Sequence, residues 1–152
     1  MKKQELKNFL EEKGVEAEFL EFSEPTLTVE ESASQLDEEP DKIVKSLVFK
    51  DKKGDLILAI VSGSLKVNEE KLTKLHGSKV KMAKAREVED LTGYKVGEVP
   101  PVGHGLKTYV DSSLEEFDKV IGGGASTHTL MKISPKEIIR LTESEVCQIT
   151  DN

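Results

Sequence analysis

Leu6, Phe9 and Leu10 recur at helical spacing between Lys2 and Lys13, and Gly14 stands where a left-handed C-terminal cap belongs, so the pattern predicts a first helix. Val15-Glu16-Ala17-Glu18-Phe19 then alternates apolar and acidic residues, the signature of a half-exposed strand reaching about Phe22. Thr28 and Glu31 form a capping box ahead of Val29, Ala33 and Leu36, which predicts a second helix ending near Asp37, with a further helical turn opened by Pro40. The runs Val44–Phe49 and Leu56–Val61, separated by Asp51-Lys52-Lys53-Gly54-Asp55, read as a hairpin. Both runs are apolar on both faces, which places them inside a sheet covered on each side. Lys45 is the exception, because it shares a strand face with Leu47 and Phe49. An ammonium there either snorkels to the edge or faces a polar pocket or an anion.

Asn68 caps a helix containing Leu72 and Leu75 that His76-Gly77 closes. Val80–Ala83 reads as a short strand, Glu87–Thr92 as a brief helix and Thr108–Val110 as a strand. Ser112 and Glu115 suggest another capping box before a strand at Lys119–Ile121. Gly122-Gly123-Gly124 is either a sharp turn or a backbone surface lining a cavity. A strand at Leu130–Ile133, a helix opened by Ser134-Pro135 and a strand at Val146–Ile149 complete the order. Between Gly93 and Gly103, three glycines and two prolines exclude a helix or long strand and describe a stiff loop. Such a loop is either a rigid surface connection or a frame whose free N–H groups hold an oxygen atom.

Composition bounds this picture without changing it. The 152 residues suit one domain spanning 1–152, 36% are hydrophobic and 34% charged, and no apolar run approaches the roughly 20 residues of a membrane span. Cys147 is the lone cysteine and the N-terminus lacks a signal-peptide core, so the expectation is a soluble cytoplasmic protein. The net charge of −7 is uneven: residues 1–41 carry 4 lysines against 13 acids, whereas residues 42–152 carry 18 basic and 16 acidic residues. Lys66, Lys71, Lys74, Lys79, Lys81, Lys84 and Arg86 face only Glu69 and Glu70 in their window. That stretch is either an ordinary solvated face or a surface for a phosphate backbone.

The inventory of chemistry is short. His76, His104 and His128 lie 28 and 24 residues apart without ligands at metal spacing, so neither a metal nor a cofactor is expected. Cys147, between Val146 and Gln148, reads as a core residue rather than a nucleophile, and neither a nucleophile elbow nor a phosphate-binding loop is present. His104 and His128 read as turn residues or as groups tuning a nearby pocket.

Lys45 within Ile43-Val44-Lys45-Ser46-Leu47-Val48-Phe49, then Val61-Ser62-Gly63, the Gly93-Tyr94 loop with Gly97, Pro100, Pro101 and Gly103, and the late glycine cluster follow one another in an order that resembles the YbaK and prolyl-tRNA synthetase editing-domain family. The likeness covers nearly the whole chain. It implies a single α+β domain with a mixed, strongly curled, barrel-like sheet flanked by helices. It also implies removal of wrongly attached amino acids from transfer RNA, most often proline tRNA, with a synthetase as a further possible partner. By the same resemblance Lys45 is the catalytic lysine, Gly97, Pro101 and Gly103 form the pocket loop, and Gly122, Gly123 and Gly124 line the other side. Phe22 stands where some members have tyrosine, and Glu98 and Pro100 depart from the usual loop, which bears on the acyl group accepted. His128 is placed with the substrate-binding residues, and Lys66, Lys71, Lys74, Lys81, Lys84 and Arg86 with RNA contacts.

The chemistry agrees with the likeness. An aminoacyl ester is already activated, so its hydrolysis needs one cation or N–H pair at the developing oxyanion and a positioned water or hydroxyl. In the family, the ribose hydroxyl beside the ester or the substrate's own side chain assists the attack. A small pocket would admit alanine, cysteine or serine and refuse larger acyl groups. The expectation is therefore a freestanding aminoacyl-tRNA deacylase acting on mischarged tRNA-Pro. The alternatives are a non-catalytic member of the fold that binds tRNA or a synthetase, and a hydrolase of small esters or amides; neither the oligomeric state nor the amino acid removed is legible.

Overall fold

The computed structural model describes residues 3–26 and 28–151. Helix α1 (Lys3–Glu12) buries Leu6 and Leu10, and Gly14 at φ +67° reverses the chain behind it; the predicted start at Lys2 lies outside the described residues. Strand β1 (Glu18–Glu21) is shorter than the alternation from Val15 suggests. Helix α2 (Val29–Leu36) carries the expected box: the Glu31 N–H donates to Thr28 Oγ1 and the Thr28 N–H to Glu31 Oε1, both at 3.0 Å. After a 3-10 turn at Pro40–Lys42 come β2 (Val44–Asp51) and β3 (Leu56–Ser62), then α3 (Glu69–His76), β4 (Val80–Met82) and α4 (Ala85–Thr92). Beyond the glycine-proline loop lie β5 (Lys107–Asp111), β6 (Val120–Ser126), β7 (Thr129–Ile133), α5 (Pro135–Thr142) and β8 (Glu145–Cys147). The predicted capping box at Ser112 is instead a 3-10 turn, Ser112–Glu116, capped by the Asp111 side chain. The glycine cluster is no turn: Gly122–Gly124 run within β6.

The expectation of one curled, barrel-like sheet is corrected. The strands form two open sheets, three-stranded β1-β7-β6 and five-stranded β4-β2-β3-β5-β8. The first is antiparallel throughout; in the second, β2 is antiparallel to β3 and β4, whereas β3, β5 and β8 run parallel. Among the described residues, one isolated bridge, between Ile43 and Ile121, links the two. The groups that would extend that bridge are engaged elsewhere. The Ile43 carbonyl accepts from the Gly63 N–H at 2.6 Å, and the Ala125 N–H of β6 donates to the Glu98 carbonyl at 3.1 Å. The loop after α4 thus occupies the edge along which the sheets would otherwise join.

The main core fills the space between the sheets, with Val44, Val48, Leu58 and Ile60 meeting Val120, Met131 and Ile133, closed by Leu6, Leu10 and Ile138. The opposite face of the larger sheet packs Phe49, Ile57, Val61 and Tyr109 under Leu72 of α3. Cover on both faces of the hairpin is what its doubly apolar sequence requires. His76 at the end of α3 fastens that helix, with Nδ1 2.9 Å from the Tyr109 hydroxyl and Nε2 2.9 Å from Asp51 Oδ2. Among the described residues no helix is long and apolar enough to cross a membrane.

Candidate active site

A cavity of about 280 Å³ opens where the start of β2, the start of α2, the loop after α4 and the glycines of β6 converge. Its walls are largely apolar, with Val29, Ile43, Val44, Val99 and Leu130, and its polar groups include Thr26, Thr28, Ser32 and Ser46. Among the described residues, Lys45 is the single basic lining residue and Glu30 the single acidic one. Small, mostly apolar and furnished with few polar groups, the site has the make-up of a small-ligand pocket.

Lys45 is half-buried, and its Nζ donates to the Leu65 carbonyl at 2.6 Å. One acceptor holds the side chain in place and leaves further N–H donors of the ammonium for a ligand. Its pKa is held below the ordinary lysine value, chiefly because burial strips solvent from the charge, with Lys66 pushing the same way and Glu30 opposing. The Ser46 hydroxyl on the same strand is shielded from solvent and has no hydrogen-bond partner among the described residues. A polar atom buried without a partner is costly, so this hydroxyl weakens the strand locally without being open to a ligand.

The glycines of β6 are explained by close approach. A Cβ on Gly123 would lie 2.6 Å from the Val99 carbonyl oxygen and 3.0 Å from the Glu98 peptide carbon and oxygen. On Gly122 it would press against Val44 Cγ2 at 3.0 Å and the Pro101 ring at 3.3 Å. Only bare backbone lets the loop lie on β6 and form one wall of the cavity. The loop is stiffened from behind by His104, between Gly103 and Gly105, both with positive φ. Its Nδ1 accepts the Leu106 N–H at 3.0 Å, so Nε2 carries the proton and meets the Pro101 carbonyl at 3.1 Å. Burial pushes the imidazole pKa down to about 4, against a smaller upward pull from the Pro101 carbonyl. A second proton would face the Leu106 N–H.

The sign of the pH dependence follows from that shift. Between pH 6.5 and about 4 the unfolded chain binds a proton at His104 that the folded chain refuses, so its contribution is complete above 6.5 and is lost as pH falls toward 4. The expected loss is on the order of 3 kcal/mol. Denaturant titrations at pH 7 and pH 4 should show the gap between wild type and His104→Asn shrinking at the lower pH; a constant gap would refute the assignment.

Of the residues singled out in the sequence, Lys45, Gly97, Gly122 and Gly123 meet at the cavity. Pro101 lies behind Gly122, Gly103 turns the loop outside the cavity, and Gly124 sits against Thr129 at the β6–β7 bulge. Phe22 packs beneath the site with Ile43, Ile121 and Leu130, while His128 is exposed in the β6–β7 turn with Nδ1 2.8 Å from Thr127 Oγ1. Glu98 is not a free acid at the rim, since its Oε1 accepts the Lys95 N–H at 2.9 Å. Among the basic residues, Lys66, Lys74, Lys81, Lys84 and Arg86 are exposed; Lys71 is half-buried and gives its ammonium to the Thr150 carbonyl at 2.7 Å. Glu30, Thr28 and Ser46 escaped sequence reasoning: the capping box explains Thr28 locally, Glu30 reads as an ordinary acid in the first turn of a helix, and nothing in Ser46 announces an unpartnered hydroxyl. Cys147, with its thiol pushed up to about 11 by burial, is no ready nucleophile.

Comparison with known proteins bears on the same region. A family model described as the aminoacyl-tRNA editing domain matches residues 23–141. The uncharacterized protein YwhH of Bacillus subtilis is 31% identical over 133 residues, 86% of this chain and 85% of its own. EbsC of Enterococcus faecalis, provisionally named a Cys-tRNA(Pro)/Cys-tRNA(Cys) deacylase, is 28% identical over 132 residues, 85% of this chain and 80% of its own. A crystal structure described provisionally as a trans-editing enzyme for prolyl-tRNA synthetase superposes with a TM-score of 0.89 at 34% identity, covering 99% of this chain and 97% of that one.

Proposed function

Since the chain belongs to the aminoacyl-tRNA editing-domain family, we propose that it is an aminoacyl-tRNA deacylase acting in trans, in the cytoplasm, on tRNA-Pro bearing a small wrong amino acid such as alanine or cysteine. The observation that carries the reading is Lys45, the single basic residue lining the cavity among the described residues, beside the bare backbone of Gly97, Gly122 and Gly123. The Lys45 ammonium stabilises the oxyanion that develops on the ester carbonyl, in a site where exclusion of water strengthens the interaction. Water, held by the ribose hydroxyl next to the ester, attacks the carbonyl carbon. The ester C–O bond then breaks and the ribose oxygen takes up the proton, releasing free amino acid and intact tRNA. Glu30 lies where a carboxylate can balance the α-ammonium of the acyl group. The narrow apolar walls favour a small acyl side chain.

A panel of tRNAs charged with different amino acids tests the assignment by release of free amino acid. Fast release of small residues from tRNA-Pro, with bulky ones retained, is expected; release no faster than the spontaneous rate across the panel would remove the reading. Ser46 gives a check on the cavity wall. Ser46→Ala removes a buried hydroxyl that has no partner among the described residues, so the thermal midpoint should hold or rise while kcat/KM stays at the wild-type value. A lowered thermal midpoint would contradict the absence of a partner.

A further inference from the structure

At the end of the β2–β3 hairpin remote from Lys45, Lys50, Lys52, Lys53, Lys79 and Lys81 line an open groove with Asp51 as its lone carboxylate. That carboxylate is already committed: Oδ1 accepts the N–H groups of Lys53 and Asp55 at 3.0 Å each, and Oδ2 faces His76 Nε2 at 2.9 Å. Lys50 pairs with Glu87 of α4. The other four lysines are exposed, and among the described residues no salt bridge engages them. Lys50 and Lys81 stand directly opposite each other in the β2–β4 register, an arrangement of like charge that weakens a strand pair. Lysine on an edge strand guards against unwanted strand pairing, which accounts for Lys81. It does not account for Lys52 and Lys53, presented on a turn locked by Asp51, nor for Lys79 before the strand. A chain with a net charge of −7 has gathered positive charge on one rigid concave surface.

We propose that this groove binds the phosphate backbone of the RNA whose charged end enters the cavity, an inference that rests on the editing reading. The groove is separated from Lys45 by the six-residue step from Lys45 to Asp51, about 20 Å along a strand. Helix α3 follows the same direction: Lys66, just before it, is close enough to Lys45 to disfavour its charge, and His76 at its end touches Asp51. Exposed Lys66 and Lys74 therefore bridge the two regions. A ligand that fills the cavity and the groove together must extend several nucleotides beyond its esterified end, which a single nucleoside ester cannot do.

The test compares wild type, a Lys53→Gln/Lys81→Gln double variant and Lys136→Gln, an exposed lysine of α5 outside the groove, using unacylated tRNA as the binding probe and both aminoacyl-tRNA and an aminoacyl-adenosine ester as substrates. The double variant should bind tRNA about 10-fold more weakly at low salt, with a log–log salt slope shallower by roughly 1–2. Lys136→Gln should match wild type, and all three should hydrolyse the adenosine ester equally. Wild-type tRNA affinity and salt slope in the double variant would overturn the groove. So would an equal loss on the adenosine ester, which would place the effect at the cavity. Wild-type protein that loses tRNA binding with the double substitution yet frees no amino acid from any charged tRNA would uphold the groove and remove the editing reading.

Discussion

Lys45→Ala will release amino acid from mischarged tRNA about 10²–10³-fold more slowly than wild type while binding tRNA almost as well. That range is typical for removal of one donor aimed at a developing oxyanion. The side chain is half-buried and makes one hydrogen bond, to the Leu65 carbonyl, so its loss should leave the fold intact and unfolding nearly unchanged. Lys45→Arg should restore little, because the planar guanidinium fits neither the Leu65 acceptor nor a point-charge contact. The pH profile separates a catalytic charge from a space-filling chain. Desolvation holds the Lys45 pKa below the ordinary lysine value, and the protonated form is the active one, so kcat should decline on the alkaline side at a pH below that value. Lys45→Ala should lack that limb. Turnover in the variant within a few-fold of wild type would refute the role.

Gly123→Ala is expected to damage both the fold and the site. The added Cβ would lie 2.6 Å from the Val99 carbonyl oxygen and 3.0 Å from the Glu98 carbonyl carbon and oxygen, all backbone atoms with little room to yield. Overpacking of this kind costs about 1–3 kcal/mol or more. For a chain of this size that lowers the thermal midpoint by roughly 2–4 °C per kcal/mol. The loop would be lifted from β6, breaking the bond from the Ala125 N–H to the Glu98 carbonyl and opening the cavity wall, so activity should fall further than stability alone accounts for. Gly105→Ala is the control. It meets nothing within 4 Å and suffers only from its positive φ, about 1–2 kcal/mol. Amide exchange at Ala125 reads the lifting directly: faster exchange in Gly123→Ala under folded conditions is predicted, and wild-type protection there would contradict it.

Most of the scaffold was legible because its signals are local. Capping residues Thr28, Asn68 and Ser134 and left-handed Gly14, Gly77 and Gly93 announce where helices begin and end, and the hairpin is marked by its turn and its doubly apolar strands. Lys45 was conspicuous for the same reason, a charge within a run otherwise fit for a sheet interior. What failed depends on distant partners. The triglycine is compatible with a turn or a strand until Val99, Pro101 and Thr129 are seen pressing on it. Sheet closure was lost to the competing partners of Ala125 and Ile43, the Glu98 carbonyl and the Gly63 N–H, neither of which has a sequence signature. Glu30 reaches the site only because α2 packs against Ile43, Ile121 and Leu130, and the hairpin-tip lysines join Lys79 and Lys81 only through the β2–β4 register.

The most direct measurement is a crystal structure of the protein with a 3′-aminoacylamino-adenosine, in which an amide replaces the scissile ester. The carbonyl oxygen should lie within hydrogen-bond distance of Lys45 Nζ, the acyl side chain should fill the space between Gly97 and Gly123, and the adenosine should lead outward from the cavity. An analogue bound elsewhere, or one seated in the cavity with its carbonyl turned away from Lys45, would contradict the account.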